Sequence, residues 1–260
     1  MPNIVILVAA HKKYQMPKDS MYLPIHVGAY NKESIGYQSD AILDNISNKN
    51  PYYCELTALY WAWKNMDYDY LGLTHYRRHF KNNSNLFKSK FDKVLTYDKL
   101  NKIINEDIII LPKKRHYYIE TNKSQYLHAH HKEGLENTEK IIKEYYPDYL
   151  NAWNKMLNKR SGHRFNMFIM PKKMVDQYCS WLFDILFKVE GITDISNWNK
   201  SEQRIYGYLA ERLLDVWIYK NNYKVKEIKY MFMEKQNWFK KIFNFIKRKL
   251  KGNKNEEASA

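Results

Sequence analysis

The chain has 260 residues, with 43 Lys plus Arg against 28 Asp plus Glu and a formal net charge of +15. At 45% hydrophobic and 16% aromatic residues it is globular rather than disordered, and long enough to bury a full core in one large domain or two small ones. Its two cysteines, Cys54 and Cys179, exclude a disulfide framework and a Cys-rich zinc module and fit a reducing compartment.

Met1-Pro2-Asn3 carries no basic residue, and the apolar run that follows, Ile4 to Ala10, is short, so no signal peptide is expected. No stretch reaches the roughly 20 apolar residues of a membrane span, and a cytosolic protein with peripheral membrane contact is expected. Residues 3–10 are predicted as a buried strand and 22–30 as a second one. After a polar loop from Asn45 to Asn50, Asn50 is the predicted N-cap and Pro51 the first residue of an aromatic-rich helix to Asn65. Strands are predicted at Tyr70 to His75 and Asp107 to Leu111, the latter ended by Pro112. Residues 121–160 read as mostly helical with a break near Pro147, and Phe165 to Met170 as a strand. Pro171 opens an amphipathic helix to Val189, a further helix runs from Ser201 to about Lys220, and Val225 to Phe232 is the last predicted strand.

Strands alternating with helices imply an α/β sandwich around a mostly parallel central sheet. The simplest partition is one domain over residues 1–232 and a tail over 233–260. Residues 235–254 hold eight positive charges and no acidic residue, and the rest of the chain is basic without them. In that tail Trp238, Phe239, Ile242, Phe243, Phe245, Ile246 and Leu250 share one helical face opposite Lys240, Lys241, Lys247 and Arg248. Such a helix is expected to lie on the anionic inner leaflet of a membrane, the plainer alternative being a helix docked on the body.

Ligands of open α/β sheets bind beyond the carboxyl ends of the strands. That singles out His11 and Lys12 after the first strand, and His75-Tyr76-Arg77-Arg78-His79 after the strand at 70–75. Arg77 and Arg78 offer planar forks that match phosphate oxygens, and with His75 they are candidates to neutralise a diphosphate in the place of a metal. Asp67-Tyr68-Asp69 matches the D-x-D pattern that holds a cation in many sugar transferases, but it precedes its strand and is expected to be a structural turn at the opposite edge. Asn45 and Ser47 are candidates for anion contact, with ordinary turn capping as the alternative. Glu55, in aromatic surroundings, needs a partner, and Arg77 or Arg78 is expected, whether to orient a substrate-binding arginine or as a structural pair. Tyr60, Trp61 and Trp63 read as core. Arg204, Gly207, Tyr208 and Glu211 share a helical face, and Glu211 is a candidate base, the alternative being a solvated Arg–Glu ladder. Gly207 suggests a close approach to the backbone. His128, His130 and His131 lack the spacing of a zinc site but leave an acceptor or phosphate contact open.

Asp44-Asn-Ile-Ser47, Cys54-Glu-Leu-Thr-Ala-Leu-Tyr-Trp-Ala-Trp-Lys-Asn65 and Gly72-Leu-Thr-His-Tyr-Arg-Arg78 closely resemble a family of bacterial capsular and exopolysaccharide biosynthesis proteins, long described as a domain of unknown function. Val8-Ala-Ala-His-Lys12, Asn166-Met-Phe-Ile-Met170 and Gly207-Tyr-Leu-Ala-Glu-Arg-Leu213 extend the likeness, in order, over roughly residues 4–220. The resemblance implies a GT-A-like nucleotide-binding fold and a glycosyltransferase. It further implies a UDP-sugar donor, galactose in pyranose or furanose form being the first expectation, and a lipid-diphosphate-linked oligosaccharide acceptor at the inner face of the membrane. The absence of a D-x-D after a strand departs from the wider GT-A pattern and leaves open both a divalent cation, Mn or Mg, and the retaining or inverting course. Two other functions compete. The charge and aromatic content fit a nucleic-acid-binding protein, but no recognised nucleic-acid motif is present, so no nucleic acid is expected. The other is a non-catalytic membrane adaptor of a polysaccharide assembly.

Overall fold

A computed structural model of the chain describes residues 1–82 and 89–234. The basic tail from 235 onward therefore lies outside the described residues. The first strand, β1 (Ile4–Ala10), runs through the middle of a sheet that also contains β2 (Tyr22–His26), β3 (Gln38–Ser39), β4 (Tyr70–His75), β6 (Ile108–Pro112), β9 (Phe168–Pro171) and β10 (Lys224–Ile228), in the order β10-β6-β9-β4-β1-β2-β3. β1 pairs parallel with β2 and β4, β2 with β3, and β6 with β10; β9 lies antiparallel between β4 and β6. The expected mostly parallel α/β sheet is what forms.

Alternate side chains of β1 serve opposite faces, as a period of two requires. Leu7 and Ala9 join one core with Leu71, Leu73 and Phe168; Ile4, Ile6, Val8 and Ala10 join the other with Tyr22, Ile110 and Ile169. The first face is covered by α2 (Leu56–Asn65), α5 (Glu133–Tyr145), α6 (Leu150–Asn158), α7 (Lys172–Gly191) and α8 (Ile205–Asn221). The second is closed by shorter elements, including α3 (Tyr97–Asn101). Pro171 takes the N-cap position of α7, as the sequence implies, and Trp61 is core while Tyr60 and Trp63 pack half-buried on Phe183.

Four elements depart from the sequence expectations. The helix predicted from Pro51 to Asn65 is two helices, α1 (Asn50–Tyr53) and α2, parted at Cys54, whose φ of 55° and ψ of −130° no helix accommodates. Asn50 is not an N-cap; its amide donates across the break to Cys54 O at 2.7 Å and Thr57 Oγ1 at 3.2 Å. It also packs on Gly28, where a Cβ would sit 2.5 Å from its Oδ1. Phe165 and Asn166 are not strand residues: both have positive φ, 77° and 51°, and β9 starts only at Phe168. The last predicted strand is two, β10 and β11 (Tyr230–Phe232); β11 pairs antiparallel with β5 (Arg78–Phe80), which also bridges β4. The helical stretch 121–160 breaks at 128–132 as well as at Pro147, separating α4 (Asn122–Leu127) from α5.

Candidate active site

The carboxyl ends of β1, β4 and β6 and the amino end of the antiparallel β9 share one edge. The last β4–β9 pair is Leu73 with Phe168, so His75 and Asn166 both stand just beyond the paired rows. Tyr76, buried behind this rim, forms its floor. The Lys12 ammonium lies 5.6 Å and the Arg77 guanidinium 5.2 Å from its ring centre, His11 meets it edge-on at 5.3 Å, and His75 tilts over it at 4.4 Å. Two cations over one aromatic ring draw on its negative face while keeping their charge toward the opening. Arg77 is half-exposed and only 3.9 Å from Glu234, a weak screened pair that leaves its fork accessible.

His75 differs in kind from the cation expected. Burial first, then the Arg78 and Arg77 charges, push its pKa down to about 2, so it is neutral. Its Nδ1 accepts from the Arg77 backbone N–H at 3.2 Å, which assigns the remaining proton to Nε2. It therefore offers a neutral N–H donor, not a charge. His11 is shifted in the same direction, by burial and then by Arg77, and its Nε2 lies 3.5 Å from the Tyr76 hydroxyl.

Arg78 sits deeper, its guanidinium 4.3 Å over the Phe165 ring and 6.0 Å from that of Phe232. Burial lowers its pKa from the usual value, while the Glu55 and Glu211 charges act to raise it. The expected direct pairing of Glu55 with Arg77 or Arg78 is replaced by a bond to an amide. Asn166 Nδ2 donates to Glu55 Oε1 at 2.9 Å and to Gly207 O at 3.1 Å, so the break at Cys54 and the turn at Asn166 meet. Glu211 Oε1 accepts from the Phe165 backbone N–H at 2.9 Å.

The shared face of Arg204, Gly207 and Glu211 looks toward this cluster, but not as an Arg–Glu ladder. Arg204 Nε donates to Cys54 Sγ at 3.1 Å. The close approach at Gly207 is α1 itself: a Cβ there would lie 3.1 Å from Cys54 Sγ and 3.3 Å from its Cβ. Asn45 and Ser47 do not present their side chains. Ser47 is buried, bonded to the Asp40 carboxylate at 2.5 Å and to the Tyr30 N–H at 3.1 Å, and Asn45 binds Ser47 N and Leu43 O. Asn45 makes a local turn bond and Ser47 braces the loop on Asp40, and neither side chain caps the short Ser47–Lys49 helix.

At the opposite edge Asp69 Oδ2 accepts from Asn3 N at 2.6 Å, and Asp67 O accepts from Asn3 Nδ2 at 3.1 Å, so the D-x-D is a turn, as expected. Among the described residues no group of three His, Cys, Asp or Glu side chains is arranged to hold a metal ion. The His130 ring lies tilted against Tyr208 at 4.1 Å, and His131 stacks on Trp198 at 4.1 Å with Nε2 3.2 Å from Glu202.

Sequence reasoning missed Asn166 and Phe165, and their signal is slight: Asn is the non-glycine residue that best tolerates a left-handed backbone, but nothing local says that Asn166 uses it. It also missed a buried brace behind the turn. His163 Nδ1 meets Asp215 Oδ1 at 2.6 Å, His163 Nε2 meets Glu227 Oε1 at 3.2 Å, and Glu227 pairs with Lys114 at 3.1 Å. Arg164, nearly fully buried, binds Tyr117 Oη at 2.8 Å, Asn122 Oδ1, His163 O and, at 3.4 Å, Glu211 O.

The family model of a domain of unknown function, DUF4422, matches residues 5–222. The chain belongs to that family. Among proteins of curated function none matches this DUF4422 chain. A solved structure described as the WbbM bifunctional glycosyltransferase in its apo form superposes on the DUF4422 chain with a TM-score of 0.82 at 31% identity. The match covers 90% of the DUF4422 chain and 46% of that protein, so this chain spans about half the length of its structural relative. Its fold is accordingly GT-A-like, as the sequence resemblance implies. No helix among the described residues is long and apolar enough to cross a membrane.

Proposed function

We propose that this chain is a glycosyltransferase that moves a hexosyl group from a nucleotide diphosphate to a saccharide hydroxyl. The observation that carries this reading is a cationic rim, Lys12, Arg77 and Arg78, set beside two carboxylates, Glu55 and Glu211, at the carboxyl edge of a GT-A-like sheet. Fixed cations aimed where charge develops stabilise a departing diphosphate without reorganising. Arg77 and Lys12 bind its oxygens, His11 lies beside the nucleotide, and His75 donates its Nε2–H to a phosphate or bridging oxygen. Arg78 offsets the charge of the neighbouring carboxylates. Glu211 takes the proton of the attacking hydroxyl as the new C1–O bond forms and the bond from C1 to the diphosphate oxygen breaks. Arg204, resting on Cys54, lies where it reaches the donor or acceptor sugar.

The donor favoured is UDP-galactose or UDP-galactofuranose. The acceptor favoured is a lipid-linked oligosaccharide of capsular or exopolysaccharide synthesis, reached from the cytoplasmic side with the basic tail on the inner leaflet. Both rest on the family resemblance, and the tail falls outside the described residues. The arginine rim is proposed as the diphosphate clamp, and the chelator arm of the test below decides whether a divalent cation, Mn or Mg, joins it.

The test is release of free UDP from a panel of UDP-sugars, with and without acceptor and chelator. Release from one hexose donor, unchanged by chelator and enhanced by a lipid-linked saccharide, is the expected result. Salt-dependent capture of DNA or RNA with no turnover would favour the nucleic-acid alternative, and vesicle binding with no turnover the adaptor.

A further inference from the structure

Phe165 and Asn166 form a pair that the backbone tolerates badly. A bulky aromatic residue at a φ of 77° is a genuine outlier, and the next residue is also left-handed, at 51°. Asn166 carries a second cost. It is 4% exposed, and its side-chain Oδ1 is buried with no hydrogen-bond partner among the described residues. Turning the amide over would not relieve this, because the Nδ2 side faces two acceptors, Glu55 Oε1 and Gly207 O. The surroundings fix the turn from both ends. Arg164 clamps the preceding residues to Tyr117, Asn122 and the α8 backbone, and β9 is locked into β4 two residues later. Strain of this kind persists where the structure over-determines it, and it concentrates at working sites.

What the turn secures is the placement of two carboxylates. Its first residue gives a backbone N–H to Glu211, and its second gives a side-chain N–H to Glu55. We propose that Asn166 is a positioning residue and that Glu55 is the carboxylate it aims at a hydroxyl of the sugar substrate, so that one turn sets two working carboxylates. This rests on the transferase function proposed above and adds a second carboxylate to Glu211. Glu55 stands among charged neighbours from every side. Arg78 on β5 and Arg204 ahead of α8 face it as cations without forming an ion pair with it, Glu211 on α8 faces it as a like charge, and Cys54 adjoins it on its own segment. Burial pushes the Glu55 pKa up, while the Asn166 amide and Arg78 draw it back down. Removing the amide therefore leaves the carboxyl harder to ionise.

The test uses the full chain with carboxyl-labelled glutamate, the Glu55 resonance being assigned by its loss in Glu55→Gln. Asn166→Gly keeps the left-handed backbone and deletes the amide. It is expected to raise the Glu55 titration midpoint by about one pH unit and to move the acid limb of the kcat profile upward by the same amount, with donor KM little changed. Asn166→Asp keeps the shape and adds a like charge, so it is expected to raise the midpoint further, and it serves if the glycine variant does not fold. In turnover Glu55→Gln is expected to lower kcat. If UDP release without acceptor falls too, the hydroxyl belongs to the donor sugar; if release survives and only transfer falls, it belongs to the acceptor. A Glu55 midpoint that stays at the wild-type value in the folded Asn166 variants, or a Glu55→Gln enzyme with wild-type kcat and KM, overturns the proposal. Wild-type protein that turns over no nucleotide-sugar defeats the transferase function instead, and the titration separates the two results.

Discussion

At the amino-terminal edge of the sheet, Asp69 is tied to the Asn3 backbone and Asp67 receives the Asn3 amide, while the Lys172 N–H returns to Asp69 O at 2.8 Å. At the carboxyl edge, Arg77 and Lys12 lie over Tyr76 with their charge toward solvent, and the neighbouring Phe165–Asn166 turn carries a left-handed backbone and an amide oxygen without a partner among the described residues. Both edges collect charged residues at strand ends. The first edge ties its turn together through the Asn3 donors, and the second leaves the Arg77 and Lys12 charges facing solvent, where the proposed diphosphate would bind. Charge density alone does not mark a site; unspent charge supported by costly local structure does.

Substitutions at the two edges should separate that difference. The largest effect is expected at Arg77. Arg77→Ala removes a half-exposed fork, so the melting temperature should hold while turnover falls by about 100-fold or more, the scale of losing one electrostatic contact to the transition state. Full activity in that variant would remove the diphosphate role. Next is Gly207→Ala, where the new methyl meets Cys54 Sγ at 3.1 Å. Because α1 and α8 must part by a few tenths of an ångström, turnover should fall several-fold even though alanine favours a helix more than glycine does.

The pH response should follow. His75 is neutral in the folded chain down to about pH 2 but gains a proton near pH 6.5 when unfolded. Its folded pKa is depressed, so its contribution is present above pH 6.5 and is lost as pH falls below that value. His11, His26 and His79 shift in the same direction. Thermal melts should therefore decline from about pH 6.5 downward, and His75→Gln should flatten part of that slope. A nitrogen NMR titration should show His75 in its Nε2–H tautomer throughout the range from pH 5 to 8. The smallest effect is expected at the opposite edge: Asp69→Asn should change stability by less than about 1 kcal/mol and leave turnover unchanged. A large loss of activity there would mean that the D-x-D does take part.

Much of the frame was legible in the chain. β4 runs from Tyr70 to His75 as predicted, because a short, largely apolar run ends abruptly in charge. The rim was legible for the same reason, since a strand end carrying His75, Arg77 and Arg78 together holds more charge than packing requires, although Tyr76 itself is core. Three features were not. The helix break at Cys54 is driven by a contact with Arg204, 150 residues away, and by the α8 backbone. The hydrogen-bond partner of Glu55 comes from 111 residues away and is an amide, whereas the partners expected from the sequence are the nearer Arg77 and Arg78. The charge of His75 depends on burial between two arginines, which no window of sequence measures.

By itself, then, the sequence determined the alternation of elements and the sheet edge at which Lys12, Arg77 and Arg78 gather as a cationic rim. These follow from local hydrophobic periodicity and from the fixed direction of parallel strands. Only the tertiary structure decided which carboxylates face that rim, which groups hold them and which histidine is neutral. Those properties come from desolvation and from hydrogen bonds between segments 46 and 111 residues apart, and they exist only once the chain has closed around them.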